Sequence, residues 1–368
     1  MTWFYDPRAS YEHNLAHGPF GEFAERPRPA SRPDVQRMTP PSLTFLGQPV
    51  HRPFGIPAGP LVNARFCAAA FSHGFDLAVY KTVRTRAHDA HPFPNTLAVH
   101  VDGDLSPARG ATLLADDDLD SATSISNSFG VPSRDPDDWQ PDMARAVAAA
   151  SDGQALIGSF QGTRPEWHRR DSEAAYIADH VTAARLTAAT GAPILEMNLS
   201  CPNEGTGELL CFDTALVTRI CVAVKDEVGD TPLVLKLAHF ATDAQLHALL
   251  RATSDIVEGY AAINTIPATL VDRTGRQALS GHGRERAGVC GASIRWAGLD
   301  MVVRLARWRA DAGADFAIVG VGGVMGADDA VRYATEGANA VMSATGAMIN
   351  PGLGQDVRGV SWPISHGV

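Results

Sequence analysis

Residues 196–210 read EMNLSCPNEGTGELL, where an apolar run ends in Asn198 and continues through Ser200, Cys201, Pro202 and Asn203. Each carboxamide offers one carbonyl acceptor and two N–H donors. Asn264, and Asn127 within SISNSFGVPSRD, offer the same. Asparagine is common in turns, so any one of them alone reads as structural. Four of them near one site suit a planar heterocycle with alternating N–H and C=O edges, and a pyrimidine is the obvious candidate. Cys201 lies in the loop, two residues before Asn203. With no adjacent histidine and no metal-ligand spacing, a thiolate acting as a base fits it better than a protease-like nucleophile.

Lys81 and Lys236 each stand at the end of an apolar run. A single strand-end lysine often lays its stem on the surface and its ammonium in water. Two at one mouth suit an anionic or electron-rich cofactor, such as a flavin, whose N1–C2 carbonyl edge needs a cationic or donor group when reduced. Downstream, IVGVGGVMGADDAVRYATEGANAVMSATGAM puts Gly322 and Gly323 after one run and Ala344-Thr345-Gly346 after the next. Glycine lets backbone N–H groups approach a ligand, and a following helix N-terminus adds partial positive charge, so this pair of turns reads as a phosphate site.

Eight short apolar runs carry these residues, at 54–58, 77–81, 155–160, 194–198, 233–237, 260–264, 316–319 and 340–343. Alanine-rich segments with apolar residues three or four apart separate them, as in SEAAYIADHVTAARLTAAT. Eight strands alternating with helices predict an α/β chain folded as a (β/α)8 barrel, whose function sits on the loops after the strands. A doubly wound sheet is the rival, but no G-x-G-x-x-G opens a helix after the first strand. The gaps at 82–154 and 265–315 exceed one crossover helix and predict extra loops or a small subdomain over the mouth. The proline- and arginine-rich stretch 26–42 predicts an extended arm over residues 1–45, leaving 46–368 as the barrel.

Composition narrows the class. The 368 residues are 45% hydrophobic, ample for a large core. Five scattered cysteines without a C-x-x-C pair argue against a disulfide framework, a zinc site or an iron–sulfur cluster. No run approaches the ~20 apolar residues of a membrane helix, and no signal-peptide pattern opens the chain. A net charge of −10 disfavours nucleic-acid binding, so a cytoplasmic enzyme is expected.

EMNLSCPN closely resembles the strand-four signature of dihydroorotate dehydrogenases, in the soluble branch that carries cysteine where the membrane-associated branch has serine. AVYKTV, NSFGVP, LVLKLA, AINT, GVCGASIR, IVGVGGV and SATGAM follow in the family's order across residues 44–355. The resemblance implies an FMN-bearing barrel of pyrimidine biosynthesis that oxidises dihydroorotate to orotate. It implies that Cys201 removes the C5 proton while hydride passes from C6 to flavin N5. Lys81, Asn127, Asn198, Asn203, Asn264 and Thr265 would hold the pyrimidine and its carboxylate, with Phe129, Gly130 and Val131 lining the pocket through their backbone. Ala58, Gly59, Lys81, Thr82, Asn198, Lys236, Gly291, Gly322, Gly323, Ala344 and Thr345 would form the FMN shell. A small oxidant such as fumarate, oxygen, a quinone or a partner subunit would take the electrons onward, and a homodimer is expected.

The chain also departs from that pattern. RTRAHDAHPFPN follows Lys81 where the family usually has an Arg and a Gly-Asn-Pro, and Lys236 lacks the family's following proline. NEGTGELLCFD and SGHGRERAGVCGAS resemble the flavin domain of dihydropyrimidine dehydrogenase. These features keep two alternatives open, a related oxidoreductase acting on another dihydropyrimidine or an enone, and a ligand-binding barrel without catalysis.

Overall fold

The computed structural model describes residues 3–25, 41–105, 112–164, 172–200 and 209–363. Eight parallel strands close into a barrel in chain order: Phe54–Ile56, Leu77–Val83, Ala155–Phe160, Ile194–Asn198, Leu233–Leu237, Gly259–Ala262, Ala317–Val321 and Ala340–Met342. All eight apolar runs of the sequence are barrel strands. Helices at Ala64–Ser72, Pro136–Ala148, Ser172–Ala188, Thr214–Val228, Asp243–Thr253, Arg295–Ala312 and Ala327–Thr335 return the chain between them. Their starts are set locally, since Asn63, Asp135, Asp213 and Thr242 each accept a first-turn N–H on the side-chain oxygen.

Strand alternation divides the core in two. Leu77, Val79, Ala155, Ile157, Ile194, Val234, Ala261, Val319 and Met342 face inward and pack with Phe45, Leu46 and Val50. Those last three belong to the hairpin Leu43–Phe45/Gln48–Val50, which plugs the bottom of the barrel. Ala78, Tyr80, Leu156, Leu195, Met197, Leu235 and Tyr260 face outward and pack in the larger cluster that includes helix residues such as Phe66, Leu216 and Met301. Continuing the inward parity by two residues reaches Lys81, Ser159, Glu196 and Lys236, and by four reaches Asn198. The barrel interior is therefore apolar below and polar at its carboxyl-terminal end.

The two long gaps do build a subdomain. Ala98–Val99, Thr112–Asp116 and Ser124–Asn127 from the first gap join Ile266–Val271 and Arg286–Gly291 from the second in a small closed sheet. Asn127 pairs with Gly288 in that sheet. A Cβ at Gly288 would stand 2.3 Å from Thr265 Oγ1, so the glycine leaves room for the sixth-strand loop.

Of the predicted arm, residues 26–40 lie outside the described residues. Residues 3–25 are helical in part and bury Trp3, Phe4, Tyr5, Tyr11 and Phe23, where the composition predicts an extended surface segment. Ser10 caps a helix at Tyr11–His17. Phe4 stacks on Phe23 at 4.2 Å and meets the Phe66 ring edge-on. Aromatic burial outweighs the loose composition of the neighbouring stretch. Among the described residues no helix is long and apolar enough to cross a membrane.

Candidate active site

At the carboxyl-terminal end of the barrel lies a cavity with about 960 Å³ of empty space, counting the part open to solvent. Every barrel strand except the third sends a residue or its following loop to the wall. Ala58 and Gly59 follow the first strand, Lys81 and Thr82 lie near the end of the second, Asn198 ends the fourth and Lys236 lies in the fifth. Asn264 and Thr265 follow the sixth, Val321 ends the seventh, and Ala344 and Thr345 follow the eighth. Asn127, Phe129 and Val131 reach the wall from the small sheet and the turn after it. A narrower compartment continues from this cavity, sharing Asn264, Cys290, Ala344 and Thr345 and adding Gly291, Gly322 and Gly323.

Gly130 stands behind the wall. Its carbonyl accepts from Arg84 Nη2 at 3.3 Å, and the Val131 carbonyl accepts from Arg84 Nε at 3.0 Å. Val131 holds φ 53°, a strained value for a β-branched residue, so the buried Arg84 guanidinium helps keep this turn in an unfavourable backbone shape. Cys201 and Asn203 lie outside the described residues. The described chain stops at Ser200, whose carbonyl and hydroxyl oxygens each accept from Asn264 Nδ2 at 3.1 Å.

The polar floor is a hydrogen-bonded network. Thr82 Oγ1 and Ser159 Oγ are 2.9 Å apart, and the Ser159 hydroxyl donates to Glu196 Oε1 at 3.0 Å. Asn198 Nδ2 donates to Gln161 Oε1 at 2.7 Å. That bond leaves Asn198 Oδ1 to accept from Ser200, whose N–H and hydroxyl are both at 3.3 Å. Two wall groups stand out against this satisfaction. Lys236 as a residue is only 4% exposed, and among the described residues its ammonium makes no hydrogen bond or ion pair. Thr345 Oγ1 is buried and has no oxygen or nitrogen partner among the described residues, only the weakly accepting Cys290 thiol beside it. A buried hydroxyl without a good acceptor is costly, and an ammonium on the cavity wall without a protein partner is free to bind, so both positions suit a ligand's acceptor atoms.

The glycine turns are equally specific. Gly323 holds φ 65°, and a Cβ there would meet the Arg295 backbone N at 2.7 Å. A Cβ on Gly346 would lie 2.4 Å from the Val324 carbonyl oxygen. The helix after the eighth strand spans only Thr345–Ile349, so the cradle rests on open backbone and the Thr345 hydroxyl more than on a long helix's dipole.

The other cysteines are poor proton acceptors. Burial pushes the Cys211 and Cys221 thiols up to about 12, raises Cys67 well above its usual value, and holds Cys290 at about 11. Among the described residues no group of three or more His, Cys, Asp or Glu is placed to hold a metal ion. His239 contacts Asp300 at 3.0 Å through Nε2 and is not on the cavity wall, and His282 is exposed.

Sequence reasoning misses several residues at and behind the wall. Gln161 directly follows the third strand, the same slot that marks Lys81-Thr82, yet an amide draws less notice than a lysine. Tyr5 and Tyr11 line the cavity from the N-terminal segment, beside Val62 and Met348. No motif or spacing in the first 20 residues announces that role.

A family model described as dihydroorotate dehydrogenase matches residues 122–355. A dihydroorotate dehydrogenase of Dictyostelium discoideum is 31% identical, the match covering 95% of this chain and 96% of that protein. Catalytic subunits of dihydroorotate dehydrogenase B (NAD(+)) match less of the chain. The one from Desulforudis audaxviator is 31% identical over 46% of this chain and 53% of the subunit. The one from Methanocaldococcus jannaschii is 32% identical over 42% and 47%. The match thus spans about half the length of those two subunits.

Proposed function

The chain belongs to the dihydroorotate dehydrogenase family, and from that premise we propose that it is a cytoplasmic, FMN-dependent enzyme that oxidises (S)-dihydroorotate to orotate. The observation that carries this reading is Lys236, a residue 4% exposed on the cavity wall whose ammonium has no partner among the described residues, one that a bound ligand would supply. The residues present fit FMN. Lys236 suits the acceptor edge of the ring system, while the Thr345 hydroxyl and the open backbone at Gly322 and Gly323 suit one phosphate monoester.

Bound FMN would supply the two-electron acceptor for the hydride that leaves C6 of the substrate. The chain's own work is binding, orientation and proton removal. Lys81, which is 7% exposed, supplies positive charge near Asn127 for the substrate carboxylate. Asn127, Asn198 and Asn264 present donors and acceptors to the ring edges. The Gln161 and Ser200 contacts fix which way the Asn198 amide faces. Cys201, next in the chain after Ser200, takes the C5 proton as a thiolate. Loss of a hydride from C6 and a proton from C5 leaves the C5–C6 double bond of orotate, so the balance needs no further reagent in this half-reaction. A small oxidant or a partner subunit then takes the electrons.

Purified holoenzyme offered dihydroorotate, dihydrouracil and a simple cyclic enone in turn, with a dye as electron acceptor, tests the substrate. The reading expects orotate as the product identified by chromatography, with dihydroorotate turned over fastest. Faster consumption of dihydrouracil or the enone would overturn it in favour of a different substrate on the same barrel.

A further inference from the structure

Tyr5 lies on the wall of the active-site cavity, is 3% exposed, and its hydroxyl has no hydrogen-bond partner among the described residues. The segment that carries it is firmly seated. The Phe4 amide donates to the Met348 carbonyl at 3.4 Å, and Phe4 packs against both Phe23 and Phe66. Tyr5 meets Phe129 edge-on at 5.8 Å, and Tyr11 meets the same ring at 6.3 Å. Phe129 sits two residues beyond Asn127, on the turn held by Arg84. Tyr5 therefore borders the compartment of Asn127, Phe129 and Val131, and it is absent from the narrower glycine-lined compartment.

We propose that Tyr5 is a substrate-binding residue, donating a hydrogen bond from its hydroxyl to a carbonyl or carboxylate oxygen of the bound pyrimidine. The N-terminal segment is then a working wall of the active site. An unpaired hydroxyl held inside a packed wall is costly in the free protein, and a ligand oxygen removes that cost on binding. Burial, reinforced by Tyr11, Glu12 and Asp6, raises the Tyr5 phenol well above its usual value, so it remains a donor throughout the working range. The assignment rests on the reading of the cavity as a dihydroorotate site.

Tyr5→Phe removes only the oxygen and keeps the ring on Phe129. The holoenzymes of both proteins are compared by orotate titration, by KM and kcat for dihydroorotate, by flavin content and by thermal melting without substrate. The expected result is orotate affinity weakened and KM raised roughly 3- to 10-fold, the usual worth of one such bond. Flavin content stays the same, and the ligand-free melting temperature is unchanged or higher. Unchanged orotate affinity overturns the proposal, as does a loss confined to flavin binding, which would assign the hydroxyl to the cofactor. Failure of the parent enzyme itself to bind orotate would instead overturn the substrate reading on which the proposal rests.

Discussion

In the proposed reaction Lys236 and Cys201 would do opposite electrostatic work, one holding positive charge against the reduced cofactor and the other becoming negative before it takes a proton. Lys236→Ala removes the unpaired ammonium, so flavin affinity or the flavin reduction potential should fall. Unchanged flavin content together with an unchanged potential would reduce this lysine to packing. For Cys201 the sharp readout is pH. An ordinary thiol titrates near ~8.5, so flavin reduction by substrate should accelerate with rising pH through that region. Cys201→Ala should slow reduction by roughly 10²- to 10⁴-fold with flavin and orotate binding nearly intact. Cys201→Ser should keep some activity with its pH dependence displaced upward. A Cys201→Ala protein reduced as fast as the parent from about pH 6 to pH 10 would send the proton elsewhere. His239 and His282 are poor replacements, being off the wall and exposed respectively.

At the scale of elements, glycine geometry is the critical feature of the seventh-strand turn. Gly323→Ala forces a Cβ against the Arg295 backbone at φ 65°, so flavin binding should weaken at least about 10-fold. Gly326→Ala, with nothing within 4 Å of its Cβ, should bind flavin normally. Equal flavin content in the two variants would contradict the cradle. These turns are legible in the sequence because glycines closing two successive apolar runs leave backbone bare at neighbouring strand ends, which a phosphate needs. The barrel strands are legible for the same local reason, and inward parity then aims Lys81, Asn198 and Lys236 at one point. Of the small sheet, the sequence predicts only extra loops or a subdomain. Its strands are short and come from segments near residues 98–127 and 266–291, so no local pattern could show their pairing. Tyr5 and Tyr11 escape for a related reason, since only long-range aromatic packing brings the N-terminus to the cavity.

Over the whole molecule, burial of one histidine links stability to pH. His180 is fully buried, its Nδ1 is 2.9 Å from the Tyr176 carbonyl and its Nε2 has no partner among the described residues. Burial lowers its pKa to about 4. The unfolded chain, with histidine near ~6.5, binds this proton first, so folding stability is complete above that value and declines as pH falls towards 4. The loss approaches about 3 kcal/mol by pH 4. Denaturant melts of the parent and of His180→Leu between about pH 7 and pH 4.5 should show a shallower pH slope in the variant, and equal slopes would contradict the assignment.

Anaerobic rapid mixing of the purified holoenzyme with dihydroorotate tests the proposed reaction most directly. The account predicts bleaching of the flavin absorbance with one orotate formed per flavin. Flavin that stays oxidised while dihydroorotate remains unchanged would contradict it.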